Sequence, residues 1–364
     1  MVKKIQEDKQ MSKRKFFQAA LLALLALCMV GQVFAGGGGQ KPQKEGEIPV
    51  LRIASVTAVC GLPVYYMMQN KRDIENGFKL ELITFSLGAP LLEALAADLW
   101  DVGLLGTGAA PLGLTTYDTI FLLDSNSASG GVDLFVRKDS PIAKATGTNP
   151  KYPKILGSPA TLKGTTMLTP LGSNMHLLGL KWIECLGADV KDVKFVHMEA
   201  PQVLAAFDSG NGDFCVLSPP FTFTARKNYL TAATFEDINI PQYDSMIANR
   251  KYYDSKRELM VKFVAEYLRI GDEFKKDHEL FVQSLFAWQK SNALNDNIDV
   301  TRAEAAERHV TTSDEAKAMD FGATPIIAGK FYIEQGRIEA NMLPRLEGNI
   351  KRDVLDAALK KLGK

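Results

Sequence analysis

LLEALAADLWDVGLLG, residues 91–106, returns in altered form as VLAAFDSGNGDFCVLS at residues 203–218. Aligned without a gap, Leu92 falls on Leu204, Ala94 on Ala206 and Asp101 on Asp213. Each copy reads as a short amphipathic helix, a turn, an aspartate and a buried strand ending in a small residue, Gly106 or Ser218. An Ala-Pro pair precedes each helix, at Ala89-Pro90 and Ala200-Pro201. Two such units predict two similar α/β lobes, and a pair of that kind holds its ligand in the cleft between the halves.

The order of elements extends this reading in both directions. LRIASV (51–56) reads as a strand, 62–70 as a helix, and FKLELITF (78–85) as a half-buried strand because its apolar residues recur with period two. After the helix at 91–97 come a strand at 102–105, a small-residue helix at 107–116, and strands at 120–124 and 132–137. This βαβα order calls for a largely parallel sheet covered on both faces. A stretch with four prolines, 138–163, marks the first crossing between lobes. The alternation then resumes, with strands at 165–169, 193–197 and 214–217 and helices at 174–186, 203–209 and from 221. SMIAN (245–249) reads as the strand that returns to the first lobe. From 256 only helices remain, at 256–275, 278–293, 302–310, 313–320 and 345–362, and their charged faces read as solvated. The expected organisation is lobe 1 from 48 to 138, lobe 2 from 139 to 243, and a return to lobe 1 with the C-terminal helices from 244 to 364.

The 364 residues leave room for two cores, and 46% hydrophobic with 23% charged residues is ordinary for a globular chain. The N-terminus is not ordinary. Lys13-Arg14-Lys15 precedes an apolar run from Phe16 to Val30, and Val33 and Ala35 stand at the −3 and −1 positions of a cleavage site. Residues 1–35 thus read as a secretory signal, too short in its apolar part for a membrane span, and 36–47 as a flexible tether. Cys28 follows Leu27, where a lipid-attachment motif wants glycine or alanine. Removing six basic and two acidic residues with the signal shifts the net charge from +1 to −3. A slightly acidic surface without a basic stripe argues against nucleic acid as a partner. Cys60, Cys185 and Cys215 allow one disulfide at most, and their spacing resembles no metal site.

Ligands of parallel sheets sit beyond the strand C-termini, at helix starts. The loops so placed carry the candidate binding residues: Thr57 and Cys60 after the first strand, Gly88 after the second, Thr107 and Gly108 after the third, Ser125 after the fourth. In the second lobe they are Ser173, Asn174 and His176, then Glu199, then Ser218 and Phe221. Small, hydroxyl-bearing loops with hardly a lysine or arginine suit a compact oxyanion held by backbone N–H groups and hydroxyls. Ser173 and Asn174 read equally well as a helix N-cap. Glu199 can bind an ammonium group, and Phe221 can pack on an apolar ligand body. Gly106-Thr107-Gly108 lacks the third glycine of a dinucleotide fingerprint, since Pro111 stands there. No nucleophile–base pair, metal signature or paired carboxylates appear in these loops, so neither catalysis nor a cofactor is expected.

These residues resemble the periplasmic solute-binding proteins of the nitrate/sulfonate/taurine ABC-transporter family, which also serves thiamine precursors. The likeness is carried by Gly61-Leu62-Pro63 with Tyr65, by the run Phe85–Leu95, by Gly130-Gly131 with Phe135–Ile142, by Leu162-Lys163-Gly164 with Gly172-Ser173, and by Phe331–Gly336. It implies a type II periplasmic-binding fold that closes its two lobes on a small organic anion and hands it, as a monomer, to a membrane permease driven by an ATPase. The family's ligand loops fall on Gly88, Thr107, Gly108, Ser173, Asn174 and Ser218. Ser218-Pro219 stands where the family often has an acidic or aromatic residue, and the stretch 146–160 is longer than usual. Two rivals share the fold: a subunit that presents ligand to a sensor kinase, and an enzyme.

Overall fold

Two five-stranded sheets organise residues 48–364, which the computed structural model describes. The expected signal and tether, residues 1–47, lie outside the described residues. The first sheet is built from β1 (Val50–Val56), β2 (Lys79–Phe85), β3 (Val102–Leu105), β4 (Thr119–Ser127) and β10 (Tyr243–Asn249), in the order β2-β1-β3-β10-β4. The second contains β5 (Asp133–Val136), β6 (Thr165–Thr169), β7 (Val193–His197), β8 (Phe214–Leu217) and β9 (Leu230–Thr234), in the order β7-β6-β8-β5-β9. The two orders match position for position.

The alternating pattern suggests largely parallel sheets, and each sheet is mixed instead. In the first, β1 runs parallel to β2 and β3, while β10 is antiparallel to β3 and β4. In the second, β6 runs parallel to β7 and β8, while β5 is antiparallel to β8 and β9. The reversed strand is in each case the one arriving from the other lobe. It enters directly, without the crossover helix that a parallel strand needs. Because β5 already pairs in the second sheet, the chain crosses between Ser127 and Asp133, ahead of the prolines expected to mark the place. It crosses back before Tyr243. The two crossings are tied together, since Ala128 N–H donates to Gln242 O at 2.9 Å and Gln242 N–H to Ser129 Oγ at 2.9 Å.

The internal repeat has a structural cause. Asp101 and Asp213 each stand just before a fully buried strand, VGLL or FCVL. Asp101 accepts the backbone N–H of Arg52 in β1 at 2.9 Å and returns its own N–H to Arg52 O at 2.8 Å. Asp213 does the same with Thr166 in β6, at 2.7 and 2.8 Å. The turn before each strand also needs a left-handed residue three places earlier. Asp98 fills it at φ 55° and Gly210 at φ 89°, two residue types that tolerate this region.

One core centres on the first sheet with Trp100, Phe263 and Tyr267, and another on the second with Trp182, Phe214 and Phe235. Most C-terminal helices cover the first lobe, but the helix Ala323–Glu334, absent from the periodicity reading, places Phe331 and Tyr332 in the second core. The single helix expected over 345–362 is two, Leu343–Gly348 and Asp353–Lys361. Between them Asn349 turns inward, donating to Leu114 O at 2.8 Å, and Ile350 bridges to Phe121.

Candidate functional site

The C-terminal ends of β1, β2 and β3 face those of β6, β7 and β8 across a cleft of about 430 Å³. Seven of the twelve residues named from sequence line it: Thr57, Gly88, Ser173, Asn174, Glu199, Ser218 and Phe221. Their walls are mainly apolar, with Leu87, Val132, Met175, Leu285 and Leu294 among them. The indole of Trp288 completes one wall. It is held by a 2.9 Å bond from Nε1–H to Ala58 O and packs against Tyr65 at a ring distance of 5.4 Å. Such a surface suits the carbon body of a small organic molecule.

The other five named residues serve the framework. Cys60 is fully buried, with Sγ 3.9 Å from Ser55 Oγ, and burial pushes its thiol pKa up, so it stays protonated. Thr107 is buried and donates its hydroxyl proton to Tyr243 O. Ser125, expected in a loop, lies inside β4, where it donates to Asp244 O at 3.0 Å. His176 is buried one turn into the helix Asn174–Cys185. Its Nδ1 accepts Gly172 N–H at 3.1 Å, and burial, aided by the charge of Arg337, lowers its pKa to about 3, which leaves it neutral. Gly108 touches the other lobe directly, as described next.

Ser173 and Asn174 divide the two roles read for them. Ser173 Oγ accepts His176 N–H as an N-cap and donates to Pro170 O at 2.6 Å, so its hydroxyl is occupied. Asn174 instead reaches across the cleft. Its Oδ1 accepts Gly108 N–H at 2.7 Å, and its Nδ2 donates to Asp244 Oδ1 at 3.0 Å. One amide therefore ties the second lobe to two points of the first. The approach is so close that a Cβ on Gly108 would lie 2.3 Å from the carbonyl carbon of Ser173. Gly108→Ala is expected to hold this rim open and to weaken capture by about 1–3 kcal/mol, the usual range for a forced backbone shift. An unchanged radius of gyration with unchanged affinity would reject this account of Gly108.

Apart from Glu199, the charged residues of the cleft, and one buried amide beside them, are ones the sequence did not mark. Arg308, Glu304, Gln289 and Asp244 all line it, and all are buried. Arg308 donates from Nε to Gly130 O at 2.6 Å, and its Nη1 lies 3.7 Å from Glu304 Oε1. Glu304 Oε2 accepts Gln289 Nε2 at 2.7 Å. Asp244 accepts Asn126 Nδ2 at 3.1 Å on one oxygen and Asn174 Nδ2 on the other. Burial raises the pKa of both carboxylates, against the pull of Arg308 and the amides. The loops read as able to hold an oxyanion without a cationic side chain, and the cleft they border is also lined by one, Arg308. The loops carry no lysine or arginine, but the C-terminal helices deliver one. Glu304 and Arg308 fell in a stretch, 302–310, whose charged face read as solvated. The helix runs from Ile298 to Glu307, and the pair lies against the cleft and not in water. An i,i+4 acid–base pair carries no sequence signal that separates these two environments.

Two lobes of matched topology, two tied crossings and one cleft between facing strand ends define a two-lobed solute-binding protein. No family model matches the chain. A protein of Brachyspira hyodysenteriae, assigned by name to the ABC transporter periplasmic binding proteins, is 30% identical over 341 residues, covering 93% of this chain and 96% of that relative. The chain belongs to the periplasmic binding proteins of ABC transporters. Solved structures share the fold. The alkanesulfonate-binding protein SsuA of Xanthomonas axonopodis pv. citri, bound to MOPS, superposes with a TM-score of 0.63 at 18% identity, over 84% of this chain and 99% of that one. The periplasmic nitrate-binding protein NrtA of Synechocystis PCC 6803 gives 0.63 at 12% identity, over 87% and 89%. Among the described residues no helix is long and apolar enough to cross a membrane.

Proposed function

We propose that this chain is the extracytoplasmic solute-binding component of an ABC importer and that its solute is a small organic anion with an apolar body. The observation that carries the reading is Arg308, a buried arginine lining a cleft walled by Trp288, Phe221 and leucines. A carboxylate or sulfonate meets the arginine, helped by backbone N–H groups at the helix starts after Gly172 and Ser218, and the carbon body fills the apolar part. The sulfonate and nitrate neighbours lend the anion weight by likeness of fold. The mechanism is closure: solute bridges both lobes about the crossings near 128–132 and 235–242 and so favours the closed state. Lobe 2 moves as one body against the rest, and the filled monomer docks on a permease served by an ATPase. Export with a signal cut after Ala35 would place it in the periplasm. The reading is of capture without chemistry, and it is supported by relatives named as binding proteins.

A thermal-shift screen tests it. Alkane- and arylsulfonates, carboxylates and nitrate are each added to the mature chain. A true solute at a hundred times its Kd adds about 2.7 kcal/mol of stability and raises the melting midpoint. Scattering should then show a smaller radius of gyration with the same compound. Melting curves unmoved by every anion would reject the anion reading.

A further inference from the structure

Arg308 lines the cleft together with Glu304 and Asp244, the two buried carboxylates on which its charge pulls, and an anion entering the cleft must share Arg308 with both. We infer that capture of the anion is accompanied by uptake of one proton from solvent, onto Glu304 Oε1. The inference rests on the anion reading above and specifies how that site is regulated.

The two carboxylates differ in how well they can accept a proton. Both oxygens of Asp244 already accept amide N–H groups, from Asn126 and Asn174. A proton on either would set O–H against N–H. Glu304 accepts only one such bond, on Oε2 from Gln289. Among the described residues its Oε1 accepts no hydrogen bond, and its nearest cation, Arg308 Nη1, stands 3.7 Å away, beyond hydrogen-bond length. Oε1 is the one carboxylate oxygen of the pair left free to carry a proton.

The charges facing Glu304 make the uptake favourable. Helix His278–Ser291 presents the Gln289 amide, and the indole N–H of Trp288 is turned away to Ala58 O. On its own helix Glu307 adds negative charge, although Arg226 of the second lobe pairs with it. β10 brings Asp244, and Glu199 stands across the cleft. Cys60 and Tyr267, near Asp244, have pKa values pushed up by burial and are uncharged. Among the described residues Arg308 is the cation that lines the cleft. Burial already raises the Glu304 pKa. A bound anion beside it raises the pKa again, because like charges in a site of low dielectric disfavour each other.

The sign follows by linkage. The complex binds more protons than its parts, so affinity rises as pH falls through the interval between the raised pKa of the free protein and the higher one of the complex. Below that interval Glu304 is neutral in both states, and above it charged in both, so Kd levels off at each end. Within it Kd changes by up to about tenfold per pH unit, the limit for one proton.

Calorimetry on the mature chain, with 1-butanesulfonate as probe, tests this. Bis-Tris, imidazole and Tris serve as buffers because none is an anionic competitor. The expected result is a binding heat that varies linearly with buffer ionisation enthalpy, with a slope of proton uptake. In Glu304→Gln, which keeps the Gln289 contact, the slope should vanish and the affinity should become independent of pH. Binding with no buffer dependence, with proton release, or with uptake undiminished in Glu304→Gln overturns the inference while sparing the anion reading. The wild-type pH profile tests the same point without a variant, since a Kd that rises on acidification, or stays flat over the whole pH range in which the protein remains folded, overturns proton uptake. Failure of this and every other anion to bind overturns both.

Discussion

Arg308→Met is expected to cost the protein most of its affinity for the anion, by about 2–5 kcal/mol, or at least about thirtyfold in Kd. The guanidinium is buried, so its attraction for a bound anion is weakly screened, and methionine fills similar volume without donors. The substitution also strands Glu304 and frees Gly130 O, and some stability should go with it. That loss has a ceiling, because both neighbouring carboxylates have raised pKa values and can neutralise by protonation. A double variant, Arg308→Met with Glu304→Gln, should therefore regain much of the melting temperature and none of the affinity. Calorimetry and circular dichroism on the two variants separate these effects. Near-wild-type affinity in a folded Arg308→Met protein would remove arginine from the site.

What the sequence revealed and what it hid divide along one physical line. Loops after strands are positioned by local alternation, so Thr57, Gly88, Glu199, Ser218 and Phe221 could be placed at the cleft from pattern alone. Arg308, Glu304, Gln289 and Trp288 reach the same cleft from helices far along the chain, and only tertiary packing sets their faces. Ser125 shows the converse error. The polar run Asp124–Ser127 looks like a loop but continues β4, because β10 supplies the backbone partners and Asp244 the side-chain partner of Asn126. Its polarity marks a buried network beneath the cleft, not an exposed turn. Strand β9, LTAAT, escaped notice because it is short and low in bulky apolar residues. The strands at 132–137 and 245–249 are legible, but the first reads as part of lobe 1 whereas it pairs in the second sheet, and the reversed direction of both leaves no trace in residue periodicity.

The internal repeat permits a paired test of these ideas, and it carries the second large effect. Asp101→Ala should lower stability by about 3–5 kcal/mol, whereas the matching Asp213→Ala should lower it by only about 1 kcal/mol. Both aspartates receive a backbone N–H from the neighbouring central strand. Asp213 is exposed and has that bond as its side chain's role, so solvent replaces most of what is lost. Asp101 is fully buried and also accepts Arg52 Nη2 at 2.7 Å and Lys256 Nζ at 2.6 Å. Alanine there removes the buried carboxylate shared by two half-buried cations, leaving Arg52 only Asp98 and Lys256 only Val50 O among the described residues, and unties β1 from the helix Arg257–Lys276 that follows Lys256. Urea unfolding decides the matter: the midpoint should fall far more for Asp101→Ala, with the slope unchanged. Equal losses would mean that the backbone bonds alone matter and that the ion pairs are surface decoration. The asymmetry is expected because the returning chain lays its C-terminal helices mostly on the first lobe. The second copy of the repeat keeps the strand tie that both lobes need, and among the described residues no lysine or arginine pairs with Asp213.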